Sequence, residues 1–381
     1  MKFMHLSDLH IGKRVNEFSM IEDQKHILSE IITMIKEEKP DGLLLAGDIY
    51  DKSIPTIEGV NLFDEFLTTV SSLKTPVYIV SGNHDSAERL NFGGRIMEAQ
   101  KVYIAGVFQG ELKKVTVSDE FGPLNIYLLP FVKPAMVTPY YEEIETYEDA
   151  VRAIIEHTKI NTEERNVLVA HQFIISGSQT PERSDSELES IGGLDQIDAS
   201  VFEPFDYVAL GHLHGAQRIG KDTIRYAGSP LKYSFSEVKQ KKSVTMVTLG
   251  EKGDVSYELK PLVPIRDMRV IKGPIDELLN PKNYTKGNTS DYIQATLTDE
   301  GNLVDAIGRM RTVYPNIMRL DFENSMTRKN ENAKTAATDV QKKNPMELFK
   351  EFFVAQNNVE MDEKQEEIMT RLLNRLEGED E

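Results

Sequence analysis

Five short stretches place metal-binding side chains directly after apolar runs. FMHLS leads to Asp8 and His10, LLLA to Gly47-Asp48, and VYIVS to Gly82-Asn83-His84-Asp85. VLVA leads to His171, and YVAL to Gly211-His212-Leu213-His214. Alternate residues of an extended chain face the same way, so His212 and His214 point into one space. Carboxylate, amide oxygen and imidazole suit manganese, iron or zinc. A single carboxylate can use both oxygens, which makes the lone Asp48 a natural bridge between two ions. Ions about 3.5–4 Å apart grip both the attacking and the leaving oxygen of an in-line displacement at phosphorus. His5, His26 and His157 fall in none of these settings and read as ordinary core or surface residues.

The elements that must position these groups are legible in the hydropathy pattern. KFMHLS, GLLLAG, PVYIVSG, NIYLLP, NVLVAHQ and DYVALGH read as strands, and residues 17–38, 57–73, 86–98 and 145–158 as helices. That order implies a layered α/β domain with its site at the C-terminal strand ends. ELKKVTV, DTIRYAG and KKSVTMVTLG add strands, so the sheets are expected to be mixed.

From about Pro264 the texture becomes a small β-α-β-α-β unit. Residues 326–344 contain no aromatic residue and read as a flexible linker. Two amphipathic helices follow. One groups Phe349, Phe352 and Phe353; the other opens with Asp362 and Gln365 in capping-box spacing. Such a pair is too small to bury its own apolar faces and is expected to dock on a partner protein, the alternative being the body of the same chain. The domains are therefore 1–263, 264–325, a linker over 326–344, and a helical segment over 345–381.

Composition narrows the class. The 381 residues include no cysteine, which removes disulfides, thiolate zinc sites and thiol nucleophiles. No apolar stretch is long enough for a membrane span, and the N-terminus turns polar too early for a secretory signal. A cytoplasmic protein is expected, with no membrane contact. The net charge of −18 argues against broad nucleic-acid binding, so any DNA surface is a local patch or is assisted by cations or a partner.

The ordered set DLH…GD…GNHD…H…GHLH resembles the calcineurin-like metallophosphoesterase family. HLSDLHIGK, LLLAGDIYDKSIPT, VSGNHDSAERL, VALGHLH and YAGSPLKYSFSE are similar to its bacterial nuclease branch. The resemblance implies a layered β-sandwich flanked by helices, with a small α+β DNA-binding capping domain and C-terminal partner-binding helices. It implies two Mn²⁺ ions, one held by Asp8, His10, Asp48 and His214, the other by Asp48, Asn83, His171 and His212. Four imidazoles disfavour Mg²⁺.

By the same resemblance His84 stabilises the transition state or protonates the leaving 3′-oxygen, while Asp85 orients that imidazole or caps the turn. Tyr233 and Ser234 are expected near the substrate. KQKK at 239–242 reads as a solvated hairpin turn or a phosphate contact. Asp51 stands where archaeal and eukaryotic relatives commonly carry a histidine.

The activity implied is ATP-dependent 3′→5′ exonuclease and single-strand or hairpin endonuclease action, in DNA repair, recombination and replication. The partners implied are DNA ends and hairpins, an SbcC-type SMC-like ATPase, and a second copy of the chain in a heterotetramer. Two other readings use the same residues: a phosphoesterase for small phosphodiesters or phosphoproteins, and a non-catalytic scaffold.

Overall fold

The computed structural model describes all residues except 178–179, 188–194, 302, 325–344, 358–359 and 378–381. The linker expected over 326–344 lies outside the described residues. The chain divides into two units, one of residues 1–270 with 290–293, the other of 271–289 with 294–381.

The first unit is built on two six-stranded sheets. The first contains β1 (Lys2–Leu6), β2 (Gly42–Ala46), β3 (Val77–Val80), β4 (Val102–Ala105), β11 (Ser243–Leu249) and β12 (Val255–Pro261), in the order β12-β11-β1-β2-β3-β4. The second contains β5 (Lys113–Asp119), β6 (Gly122–Leu129), β7 (Arg165–His171), β8 (Tyr207–Gly211), β9 (Gln217–Ile219) and β10 (Lys221–Tyr226), in the order β9-β10-β8-β7-β6-β5. In the first, parallel β1, β2, β3 and β4 are extended on one side by antiparallel β11 and β12; in the second, parallel β6, β7, β8 and β10 are flanked on both sides by antiparallel strands, β5 and β9. The mixed sheets expected from the sequence are present.

Side-chain alternation sorts each strand between two buried faces. Leu44, Ala46, Val80, Ile126, Val169, Tyr207 and Ala209 share the core cluster that joins the sheets. Tyr127, Leu129, Leu168, Val208 and Leu210 face the other way and pack with Ala150, Val151 and Ile154. The latter belong to α3 (Tyr147–His157), which starts at a Thr146/Asp149 capping box. On α1 (Ile21–Glu38), Ile27, Ile31 and Ile35 are buried at four-residue spacing. On α2 (Ile57–Ser72), Thr56 caps the first turn by accepting from the Gly59 N–H.

The single helix expected over 86–98 is absent. Two one-turn helices, Ala87–Leu90 and Gly94–Met97, replace it, because Gly93 turns left-handed at φ 72° between them. Residues 17–20 are likewise not helical; Phe18–Ser19 pairs with Arg14–Val15 as a hairpin before α1.

Residues 268–322 include a three-stranded sheet in the order β13 (Met268–Gly273), β14 (Tyr292–Leu297), β15 (Ile317–Phe322). Ile275, Ala295, Leu297, Ala306, Met310 and Ile317 are buried with it. Two terminal helices follow, Pro345–Asn357 and Glu363–Glu377, with Lys350 and Glu366 paired at 2.6 Å. The capping box forms as read: the Asp362 and Gln365 side chains accept from each other's backbone N–H. Phe352 and Ile368 are exposed.

Candidate metal centre

Strands β1, β2, β3, β7 and β8 come from both sheets, and their C-terminal ends deliver all seven expected ligands into one cluster. The chain turns abruptly to do so. Asp8, His10 and Asp48 adopt φ of 52°, 43° and 51°, and His212 a φ of 111°, conformations that side chains other than glycine adopt at a cost. Backbone bonds fix the first two loops together, from Asp8 N–H to the Gly47 carbonyl and from His10 N–H to the Asp48 carbonyl. Gln24 of α1 clamps the turn: its amide donates to the His10 carbonyl at 2.7 Å and accepts from the Gly12 N–H at 2.9 Å. Two glycines are required by crowding. A Cβ on Gly82 would lie 2.1 Å from Asp48 Oδ1, and one on Gly211 would lie 1.8 Å from the Ala46 carbonyl.

The donor atoms converge. His10 Nε2 and His214 Nε2 are 3.1 Å apart, and Asp48 Oδ2 lies 3.6 Å from His10 Nε2 and 3.4 Å from His171 Nε2. Asn83 Oδ1 is 3.0 Å from both His171 Nε2 and His212 Nδ1. Donors of Asp8, His10 and His214 lie within 4.8 Å of one another, as do those of Asp8, Asp48 and His171, and those of His10, Asp48 and His84.

Hydrogen-bond logic shows what this cage is for. His171 Nδ1 is 2.8 Å from the Ala46 carbonyl, which can only accept, so Nδ1 carries the proton. In the neutral ring, Nε2 then aims a lone pair at two oxygens. His214 repeats the pattern: Nδ1 faces the Glu237 carboxylate at 3.1 Å, and Nε2 faces another imidazole nitrogen. Lone pairs so arranged repel unless a cation lies among them, and the mixed O/N donor set fits a pair of divalent metal ions.

The electrostatics agree. Burial works to raise the Asp48 carboxyl, yet His171, His10 and His84 hold it below the usual carboxylate range. Burial opposes a charge on His171, but Asp48 beside it pushes it up to about 9. Burial raises Asp8 to about 6, against the pull of His171 and His214. Each of these shifts marks a place that calls for positive charge.

His84 is half-buried at the rim. Its N–H donates to Asp48 Oδ1 at 2.9 Å, and its Nδ1 lies 2.9 Å from the Asp51 carbonyl, which leaves Nε2 for chemistry. Asp85 does not orient that ring. Its carboxylate accepts the backbone N–H groups of Ile49, Tyr50 and Gly82, tying the GNHD turn to the loop that carries Asp48.

Tyr233 and Ser234, expected near the substrate, make the following contacts. Tyr233 is buried, its O–H donates to the Leu9 carbonyl at 2.5 Å, and its ring packs beside His10 and His214, so it supports ligands instead of meeting substrate. Ser234 caps the short turn Phe235–Glu237 by accepting from the Ser236 N–H. Lys242, read as part of a solvated or phosphate-touching run, is buried against Glu237 at 2.6 Å. Gln24, Glu237 and Lys242 were not anticipated.

With the geometry in place, comparison with known proteins decides the family. Residues 1–216 match the family model described as calcineurin-like phosphoesterase, more than half of the chain. The chain belongs to the calcineurin-like phosphoesterase family. Residues 264–357 match the model described as type 5 capsule protein repressor C-terminal domain. A curated relative, the SbcD component of the SbcCD nuclease of Staphylococcus epidermidis, is 34% identical over 326 residues, covering 84% of this chain and 85% of the relative. This likeness puts the chain among the SbcD-type members of the family. Among solved structures, a dimetal phosphatase from Danio rerio is similar at 10% identity and a TM-score of 0.41, covering 70% of this chain and 98% of that one. The phosphopantetheinyl hydrolase of Mycobacterium tuberculosis is similar at 16% identity and a TM-score of 0.34, covering 60% and 90%. Among the described residues no helix is long and apolar enough to cross a membrane.

Proposed function

We propose that this chain is the nuclease subunit of a DNA end-processing complex, hydrolysing DNA phosphodiesters with two Mn²⁺ ions. The observation that carries the reading is the Asn83 amide oxygen, 3.0 Å from two imidazole nitrogens in a cage with Asp48 at its centre. The substrate class follows from the curated nuclease that shares 34% of its residues over most of both chains. Asp8, His10, Asp48 and His214 hold one ion; Asp48, Asn83, His171 and His212 hold the other. Bound there, the ions supply Lewis-acid polarisation of the phosphate and activation of the attacking water. The chain's own residues align the groups: Asp48 bridges, Asn83 bonds the second site, and Asp85 fixes the turn carrying both Asn83 and His84. His84 Nε2 hands a proton to the leaving 3′-oxygen, a contribution of about 10²–10⁴-fold.

In this reading an SbcC-type ATPase binds the terminal helices, whose Phe352 and Ile368 are exposed, and couples ATP hydrolysis to 3′→5′ exonuclease and hairpin cleavage. The small unit contacts DNA. Two copies pair through Ile57, Phe92 and Ile96, large apolar side chains exposed on adjoining stretches that Arg89 links by donating to the Ser53 carbonyl. The complex acts in the cytoplasm, in DNA repair, recombination and replication.

The deciding assay is manganese-dependent cleavage of labelled hairpin DNA, with and without the ATPase and ATP. Cleavage is expected with the partner and ATP. The His84→Ala variant should lose about 10²–10⁴-fold in rate while binding both ions. Turnover of a chromogenic phosphodiester with no DNA cleavage under any condition would favour a small-substrate phosphoesterase.

A further inference from the structure

Behind His214 lies a buried polar cluster that metal ligation does not itself require. Glu237 is fully buried at the end of the turn capped by Ser234. Its Oε1 accepts from Ser186 Oγ at 2.7 Å and lies 3.1 Å from His214 Nδ1. Its Oε2 accepts from Lys242 Nζ at 2.6 Å. The remaining N–H groups of Lys242, itself buried, are shared among the His214 carbonyl at 2.8 Å, Ser229 Oγ at 2.8 Å and Gln240 Oε1 at 2.7 Å. On the other side, the His214 N–H donates to Glu187 Oε1 at 2.7 Å.

His214 is thus held at three points: main-chain N–H, main-chain carbonyl and ring. The ring contact has chemical consequences. Ser186 Oγ also lies 2.9 Å from Nδ1, but its hydrogen goes to Glu237 Oε1, so hydroxyl and carboxylate can both only accept from the ring; Nδ1 must carry the hydrogen, and Nε2 is left as the electron-pair donor 3.1 Å from His10 Nε2. A buried carboxylate left without a cation is strongly unfavourable, and Lys242 supplies the compensating charge. A plain internal ion pair would need only Oε2; here the second oxygen is directed at a ligand's ring.

We propose that Glu237 is a positioning residue for the metal site: it fixes the tautomer and ring plane of His214, and Lys242 is its charge partner. The inference rests on reading the cage as a dimetal centre. It assigns Glu237 to the ion shared by His10 and His214, and not to the ion held by Asn83, His171 and His212.

The test uses the full chain and Mn²⁺ alone, counting bound ions by the loss of the free-ion EPR signal, with thermal melting as the check on folding. Two double variants remove the buried charge pair together. Glu237→Gln with Lys242→Met keeps an oxygen for Nδ1–H; Glu237→Leu with Lys242→Met does not. Wild type should bind two ions, and the Gln/Met variant two ions with close to wild-type affinity. The Leu/Met variant should keep one ion and bind the other about 10–100-fold more weakly. A folded Leu/Met protein that binds both ions like wild type overturns the inference alone, whereas a wild type holding fewer than two ions overturns the dimetal reading first. Should the Leu/Met variant not fold, the manganese-loaded wild-type crystal structure decides. Ligation through His214 Nε2 with Nδ1 bonded to Glu237 supports the proposal, and ligation through Nδ1 overturns it.

Discussion

A single methyl group at Gly82 probes the cage at the scale of one residue. The added carbon would stand 2.1 Å from Asp48 Oδ1 and 2.4 Å from the Asp48 backbone nitrogen, so the bridging carboxylate must move. Gly82→Ala is expected to reduce Mn²⁺ affinity and turnover by roughly 10–100-fold, the range seen when ligand support is lost. Gly301→Ala, where the methyl meets nothing, serves as the control in the same titration. Asp85→Ala removes the acceptor for three backbone N–H groups and should lower activity through disordered placement of Asp48 and His84. Because Asp85 takes no part in proton transfer, its variant should keep the shape of the wild-type pH–rate profile. At this scale the seven clustered side chains were legible, since each follows an apolar strand that announces where it must end. Glu237, Lys242 and Gln24 were not. A lysine inside KQKK carries no sign of burial, and a glutamine on an amphipathic helix looks like any other polar residue until the turn it clamps is folded beside it.

Elements were legible where periodicity was long and hidden where one residue reset the backbone. Strands β1, β2, β3, β7 and β8 stand where their apolar runs indicated, whereas Gly93 divided the helix expected over 86–98. Two buried networks give this scale its predictions. Asp23 on α1 is fully buried, accepts both Arg266 nitrogens at 3.1 and 2.9 Å, and takes the Tyr292 O–H at 2.7 Å. Asp23→Ala leaves the Tyr292 hydroxyl without its acceptor and Arg266 with Glu22 alone, and should cost about 1–3 kcal/mol in denaturant unfolding. His5 is buried in β1 between the Tyr207 hydroxyl at 3.0 Å and the Leu210 carbonyl at 3.2 Å. Burial lowers its pKa to about 3, well below the unfolded value of about 6.5. A depressed folded-state pKa contributes stability above the unfolded value, and that contribution is lost as pH falls from about 6.5 toward 3. The loss amounts to about 5 kcal/mol. Unfolding curves across that window should show a slope that His5→Gln reduces by the equivalent of one proton.

At the scale of the whole molecule the net charge of −18 sets the terms of DNA binding. The isolated chain is expected to bind hairpin DNA weakly, with affinity falling steeply with added salt; fluorescence anisotropy from 50 to 200 mM salt checks this. Tight binding in high salt by the chain alone would count against the partner-assisted reading. The terminal helices make the complementary case: amphipathic spacing suggests a docking element, and Phe352 and Ile368 remain exposed although Phe352 meets the Phe349 ring.

The origin of the ligands has a mechanical corollary. Asp8, His10, Asp48 and Asn83 hang from one sheet, His171, His212 and His214 from the other. A pair of ions gripped by all of them would therefore rivet the open end of the sandwich, adding to the bonds from His171 Nδ1 to the Ala46 carbonyl and from the His212 N–H to Asp8 Oδ1 that already cross it. Chelation should loosen that end first, raising amide exchange at the tips of β1 and β8 while the opposite ends stay protected. Metal supply would thus govern how long the protein survives heat as well as how fast it works.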